Sequence, residues 1–147
     1  MAAENIPMPE PIHRHKCRVL YGDTDSGGVV YYANYLRYFE AGRTEFMRDL
    51  VSSYKELEDM GYILPVVECY ARYKASAFYD DLLVIETSLV EVKKVSCRFH
   101  YRITREGEDK LLLTGYTVNA VTNRDGKLTK LPADFVERLK KVQGPAV

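Results

Sequence analysis

The sequence predicts one α+β domain in which a long helix is wrapped by a curved antiparallel sheet of about five strands. Three observations carry that expectation: a stretch of about 20 residues with large side chains at helical spacing, runs of apolar–polar alternation before and after it, and short polar turns between the later runs. A helix of that length spans about 30 Å, and strands of about 11 residues span about 36 Å. Strands of that length can follow the helix from end to end.

Residues 1–13 read as a flexible N-terminal arm with three prolines, and residues 14–143 as the folded domain. The first strand is expected over 15–21, where Cys17 and Val19 alternate with Arg18 and Leu20. A glycine-rich loop follows. From 31 to 50 the large side chains Tyr32, Tyr35, Phe39, Phe46 and Leu50, with Gly42 in the same series, predict one amphipathic helix. Four strands come next, over 66–77, 82–92, 95–105 and 111–122. The third of these is the clearest, with Val95, Cys97, Phe99, Tyr101 and Ile103 facing one way and Ser96, Arg98, His100, Arg102 and Thr104 the other. In 66–77 the inward set is Val67, Cys69, Ala71, Tyr73 and Ala75. Breaks at Asp80-Asp81, Lys93-Lys94, 106–109 and 123–126 carry turn residues. After Pro132, Phe135, Val136, Leu139 and Val142 predict a short final helix.

Composition narrows the function classes. Across 147 residues, 21 basic and 21 acidic side chains cancel, so no net field gathers a polyanion and nucleic acid is not an expected partner. The N-terminal residues hold no apolar signal-peptide core, and no run approaches a membrane span. Cys17, Cys69 and Cys97 are odd in number and form no CxxC pair, which suits reduced, buried thiols in a cytoplasmic protein. No cofactor or metal is expected. His13, His15 and Cys17 could share a strand face, but they adjoin the arm and read as ordinary edge residues.

The loop from Tyr21 to Tyr32 can carry chemistry. It places Asp23, Asp25 and three glycines between a strand and the long helix. Free N–H groups around 29–32 at the positive helix end would stabilise an oxyanion. Asp25 lies three residues before Gly28, near enough to attack a carbonyl held there or to take a proton from water. The competing reading is that Asp25 caps the helix or closes an Asx turn. A calcium loop fails, because Gly27 and Asn34 stand where ligands are needed. An aspartyl-phosphate phosphotransferase would need a parallel doubly wound sheet with more helices.

The run Tyr21-Gly22-Asp23-Thr24-Asp25-Ser26-Gly27-Gly28-Val29-Val30-Tyr31-Tyr32-Ala33-Asn34-Tyr35 resembles the 4-hydroxybenzoyl-CoA thioesterase family, including its Tol-Pal-associated bacterial acyl-CoA thioesterases. The likeness continues through Glu40-Ala41-Gly42-Arg43-Thr44-Glu45, Tyr79-Asp80-Asp81 and Leu131-Pro132-Ala133-Asp134-Phe135. It implies a hot-dog fold, a homodimer or homotetramer with interfacial active sites, and hydrolysis of a short-chain or aromatic acyl-CoA to free acid and CoA. It also implies that Asp25 is the catalytic carboxylate and Asp23 is structural, with Gly28 and the backbone of Tyr31 and Tyr32 at the carbonyl-binding helix start. Tyr32 stands where many acyl-CoA members carry His.

The family's basic, phosphate-binding turn matches Lys93 and Lys94, and Val95 replaces a third basic position. Lys127 and Lys130 are further candidates. Tyr21 and Tyr35 are expected to line the substrate site, with Tyr38, Phe39 and Tyr73 either beside it or in the core. A second hot-dog lineage uses a helix carboxylate, which makes Glu40 and Glu45 rivals to Asp25, although Glu40 and Arg43 have the spacing of a surface pair. A single carboxylate suits a thioester, since a thiolate leaves near neutral pH with little acid assistance. The alternative function is a noncatalytic acyl-CoA or acyl-carrier binding module on the same fold.

Overall fold

A computed structural model describes residues 6–145; the first five residues of the expected arm lie outside the described residues. Five strands, β1 (His13–Arg18), β2 (Val66–Tyr73), β3 (Leu82–Val92), β4 (Ser96–Arg105) and β5 (Leu111–Ala120), form one sheet in the order β1-β3-β4-β5-β2. Every pairing is antiparallel. The helices are α1 (Asn34–Leu50), α2 (Tyr54–Asp59) and α3 (Ala133–Val142). The long helix lying on an antiparallel sheet is the expected hot-dog arrangement.

Alternation decides which strand faces meet α1. Leu83, Ile85 and Leu89 of β3 and Cys97, Phe99, Tyr101 and Ile103 of β4 are all buried, as are Tyr35, Tyr38, Phe39, Phe46 and Met47 of α1. Phe39 stacks on Tyr101 with ring centroids 4.3 Å apart and planes 11° from parallel. Two glycines permit this close approach. A Cβ on Gly42 would come within 2.5 Å of Ile85 Cγ2 and 2.6 Å of Thr87 Oγ1, and one on Gly115 would meet the Tyr70 carbonyl and the Phe39 ring.

On the opposite sheet face the cross-strand row Arg14, Glu86, Arg102 forms an ion triad, with Nε–Oε distances of 2.8 and 2.6 Å. The described part of the arm lies over this face. Pro9 O accepts from Ser88 Oγ, and Pro7 O lies 2.8 Å from His100 Nδ1.

Several boundaries differ from the sequence expectation. The long helix begins at Asn34 rather than 31, because Val30 N–H donates to Ala77 O and Tyr31 N–H to Asp23 O, holding the preceding chain extended. β1 runs from His13 and stops at Arg18 instead of covering 15–21, since a tight turn at Tyr21–Asp23 follows. β2 ends at Tyr73, where Lys74 and Ala75 both donate to Leu112 O, and it is an edge strand with exposed residues on both faces. Its Cys69 is exposed, against the expectation of buried cysteines; Cys97 is buried and Cys17 half-buried. The order also omitted α2, whose N-cap Ser53 accepts from Glu56 N–H, a Ser-x-x-Glu start legible in the sequence.

Candidate active site

The loop before α1 is built around Asp23. Its buried carboxylate accepts from Leu20 N–H at 2.9 Å and from the Tyr38 hydroxyl at 3.0 Å, with Arg37 Nη1 at 3.5 Å. Its carbonyl accepts from Tyr31 N–H and Asn34 Nδ2. One residue thus closes the loop at both ends. Tyr38 is pushed well above the ordinary phenol range, first by burial and then by its bond to this carboxylate.

With Asp23 opposite Tyr31, Thr24 bridges Val30 and Asp25 N–H donates to Val29 O at 2.8 Å. Asp25 therefore sits near the exposed tip. Its Oδ1 accepts from Gly27 N–H at 2.8 Å, an Asx turn, and its carbonyl accepts from Gly28 N–H, which is at φ 83°. A turn-closing hydrogen bond and an exposed carboxylate coexist at one residue, and Asp25 does not cap α1, whose N-cap is Ala33.

The donors expected at the helix start sort themselves by these bonds. Gly28 and Tyr31 N–H are engaged within the loop, whereas Tyr32 N–H has no acceptor among the described residues. Tyr32 is held from its other side, because Tyr73 donates its hydroxyl to Tyr32 O at 2.9 Å. Tyr31, Tyr32, Tyr73 and Tyr35 form a chain of ring contacts with successive centroids 4.9, 6.4 and 5.4 Å apart. Burial raises the Tyr35 and Tyr73 phenols, and a hydrogen bond with the Tyr32 hydroxyl raises Tyr31.

Tyr35 is buried, and its hydroxyl accepts from Ala77 N–H. Tyr21 is 78% exposed and packs edge-on against Tyr79 at the outer rim of the loop. Lys93 and Lys94 line a groove of about 600 Å³ together with Lys130 and Lys140, over a floor that includes Leu131 and Val136. No residue of the Asp25 loop lines this groove. Lys140 was missed because helical spacing assigns it simply to a solvated face.

His13 Nε2 lies 2.7 Å from Asp49, and no metal-binding group of three is present among the described residues. The expected Glu40–Arg43 surface pair does not form. Arg43 follows Phe39 by one helical turn and turns toward Tyr101, while Glu40 faces outward. The sequence places Tyr73 as a core or pocket aromatic, whereas its hold on the Tyr32 carbonyl depends on a contact 41 residues away in sequence.

A thioesterase-like superfamily model matches residues 19–139. The acyl-CoA thioesterase YbgC of Haemophilus influenzae is 39% identical over 84% of this chain and 88% of its own length. The 4-hydroxybenzoyl-CoA thioesterase of a Pseudomonas strain is 28% identical over 82% of this chain and 92% of its own. Among solved structures, a DHNA-CoA thioesterase from Staphylococcus aureus superposes with a TM-score of 0.85 at 29% identity, covering 89% of this chain and 90% of that one. On the family model and these relatives together, the chain belongs to the thioesterase-like superfamily and is a hot-dog thioester hydrolase.

Proposed function

We propose that this protein hydrolyses the thioester of a short-chain or aromatic acyl-CoA, with Asp25 as nucleophile or general base. The observation that carries the reading is the pairing, on one loop, of the exposed Asp25 carboxylate with a Tyr32 N–H free of any acceptor among the described residues. Tyr32 N–H polarises the thioester carbonyl and stabilises the oxyanion, a role for which loss of one donor costs about 2.7–4 kcal/mol of barrier. Gly28 and Tyr31 support it by shaping the turn that presents Tyr32. The Tyr32 ring, 63% exposed, forms part of the substrate wall with Tyr35 and Tyr73 behind it.

In one route an Asp25 oxygen attacks the carbonyl carbon, the C–S bond breaks to release CoA thiolate, and water then cleaves the mixed anhydride. In the other, Asp25 takes a proton from water as that water attacks the carbonyl carbon, and the tetrahedral intermediate collapses with C–S cleavage to release CoA thiolate. Hydrolysis in heavy-oxygen water under single-turnover conditions tests the first route: label in the Asp25 peptide requires the anhydride, because general-base attack places the label only in the product acid. A panel of acyl-CoA esters with thiol detection tests the activity itself. Saturable binding without CoA release would replace hydrolysis with a binding role.

The proposed assembly is a homodimer or homotetramer with sites between subunits. Support comes from the β2 edge, where Val66, Val67 and Tyr73 are exposed, and from exposed Tyr31, Tyr32, Phe78 and Tyr79 around the Asp25 loop. Sedimentation equilibrium checks it; a fully active monomer would exclude interfacial sites. Lys93 and Lys94 are assigned to the CoA phosphates as point charges. Cytoplasmic residence fits the three free cysteines and a CoA substrate, and no helix among the described residues is long and apolar enough to cross a membrane.

A further inference from the structure

A cavity of about 620 Å³ lies between the second half of α1, α2 and the segment at Ile63 and Leu64. Arg43, on its wall, is nine residues into α1, about 14 Å along the axis from the helix start at 1.5 Å per residue. The Asp25 loop does not contribute to this cavity.

Arg43 is only 8% exposed, yet no carboxylate lies within ion-pair distance of it among the described residues. Its guanidinium donates from Nη1 to the Tyr101 hydroxyl at 3.1 Å, and its Nε has no hydrogen-bond partner. The buried groups that face it are neutral acids. Burial raises Tyr54 and Tyr101, and it pushes the Cys97 thiol up to about 12. None of them supplies a negative charge at working pH. Glu40, the nearest acid acting on Arg43, is exposed and one turn away.

A second observation points the same way. The hydroxyl of Tyr54, another cavity residue, is also buried without a partner. Buried polar groups are ordinarily satisfied, and an uncompensated buried cation is especially costly. The Tyr54 hydroxyl lies beside the Arg43 guanidinium, and neither meets a counter-charge from the described residues.

The rim sets the charge of an incoming acceptor. Arg48 and Lys55 stand against Glu40, Glu58 and Asp59, so the entrance carries one net negative charge and opposes polyanions. Lys55 and Arg48 are already paired with Asp59 and Glu45. We propose that this cavity binds a monocarboxylate with an apolar or aromatic body, its carboxylate meeting the Arg43 guanidinium where it lines the cavity and its body lying against Ile63 and Leu64. The carboxylate is that of a free acid, since a short acyl group held at the helix start does not span the distance of about 14 Å to Arg43.

Calorimetric titration of the full chain with sodium benzoate, using benzyl alcohol as the neutral isostere, tests the proposal. Benzoate should bind at least about tenfold more tightly, the scale of a charge-assisted contact, and Arg43→Met should erase the difference. Because that variant could fold poorly, a wild-type crystal soaked in 4-bromobenzoate provides an independent reading through the bromine anomalous signal. Bromine in the cavity supports the site. No benzoate binding, equal binding by Arg43→Met, or bromine only elsewhere overturns it.

Turnover of butyryl-CoA keeps this cavity apart from the Asp25 site. Arg43→Met should leave kcat/KM for butyryl-CoA unchanged, and a roughly tenfold loss would place Arg43 in the acyl site and overturn a separate carboxylate site. Failure of the Asp25 assignment would appear separately, as butyryl-CoA turnover persisting in Asp25→Asn.

Discussion

The Tyr38 hydroxyl donates to Asp23 Oδ2 at 3.0 Å, tying the buried face of α1 to the loop that carries Asp25. Asp23 is thereby the structural member of the aspartate pair. Replacing it with Ala strands Leu20 N–H and the Tyr38 hydroxyl, so we expect a loss of about 2–4 kcal/mol, given about 1–3 kcal/mol per unsatisfied buried group. Tyr38→Phe leaves Asp23 its other partners and should cost about 1 kcal/mol. Urea unfolding of both variants checks the order; equal losses would contradict it.

Asp25→Asn separates structure from chemistry. An Asn Oδ1 can still accept from Gly27 N–H and keep the Asx turn. Thermal stability should be unchanged while acyl-CoA turnover falls by at least about 10²-fold. Wild-type turnover would reduce Asp25 to a turn residue.

The helix–sheet contact is predicted to be intolerant at Gly115. A methyl group there meets the Tyr70 backbone carbonyl and the stacked Phe39 ring, neither of which can yield freely. Gly115→Ala should cost about 1–3 kcal/mol through overpacking, seen as a melting temperature lower by about 3–10 °C. An unchanged melting temperature would mean that the two elements separate readily.

His100 gives the arm a pH dependence. Its Nε2 accepts from Arg98 Nε at 3.1 Å, so its Nδ1–H donates to Pro7 O in the neutral ring. Burial, then a weaker effect of Arg98, lowers its pKa from 6.5 in the folded state. The unfolded chain therefore takes up the proton first: stability is complete above about pH 6.5 and declines as pH falls through the lowered folded value. Stability measured between pH 7 and 5 should fall less steeply in His100→Gln than in the wild type. Parallel curves would remove His100 from the account.

Local chemistry in the sequence determined much of this protein: strand alternation in 95–105, the helical series from Tyr35 to Leu50, the turn residues between strands, and the Asp25 loop as the place to look. These are properties of neighbours at spacings of two to four residues, where backbone geometry alone decides which side chains share a face. The three-dimensional fold decided what sequence spacing could not. It delayed the helix to Asn34 through bonds to Asp23 and Ala77, left Tyr32 N–H free while engaging Tyr31, and exposed Cys69 on an edge strand. It also turned Arg43 from the expected pair with Glu40 toward Tyr101, 58 residues away. Each outcome depends on which distant polar partner reaches a group first, because a buried donor or acceptor takes the partner that packing supplies.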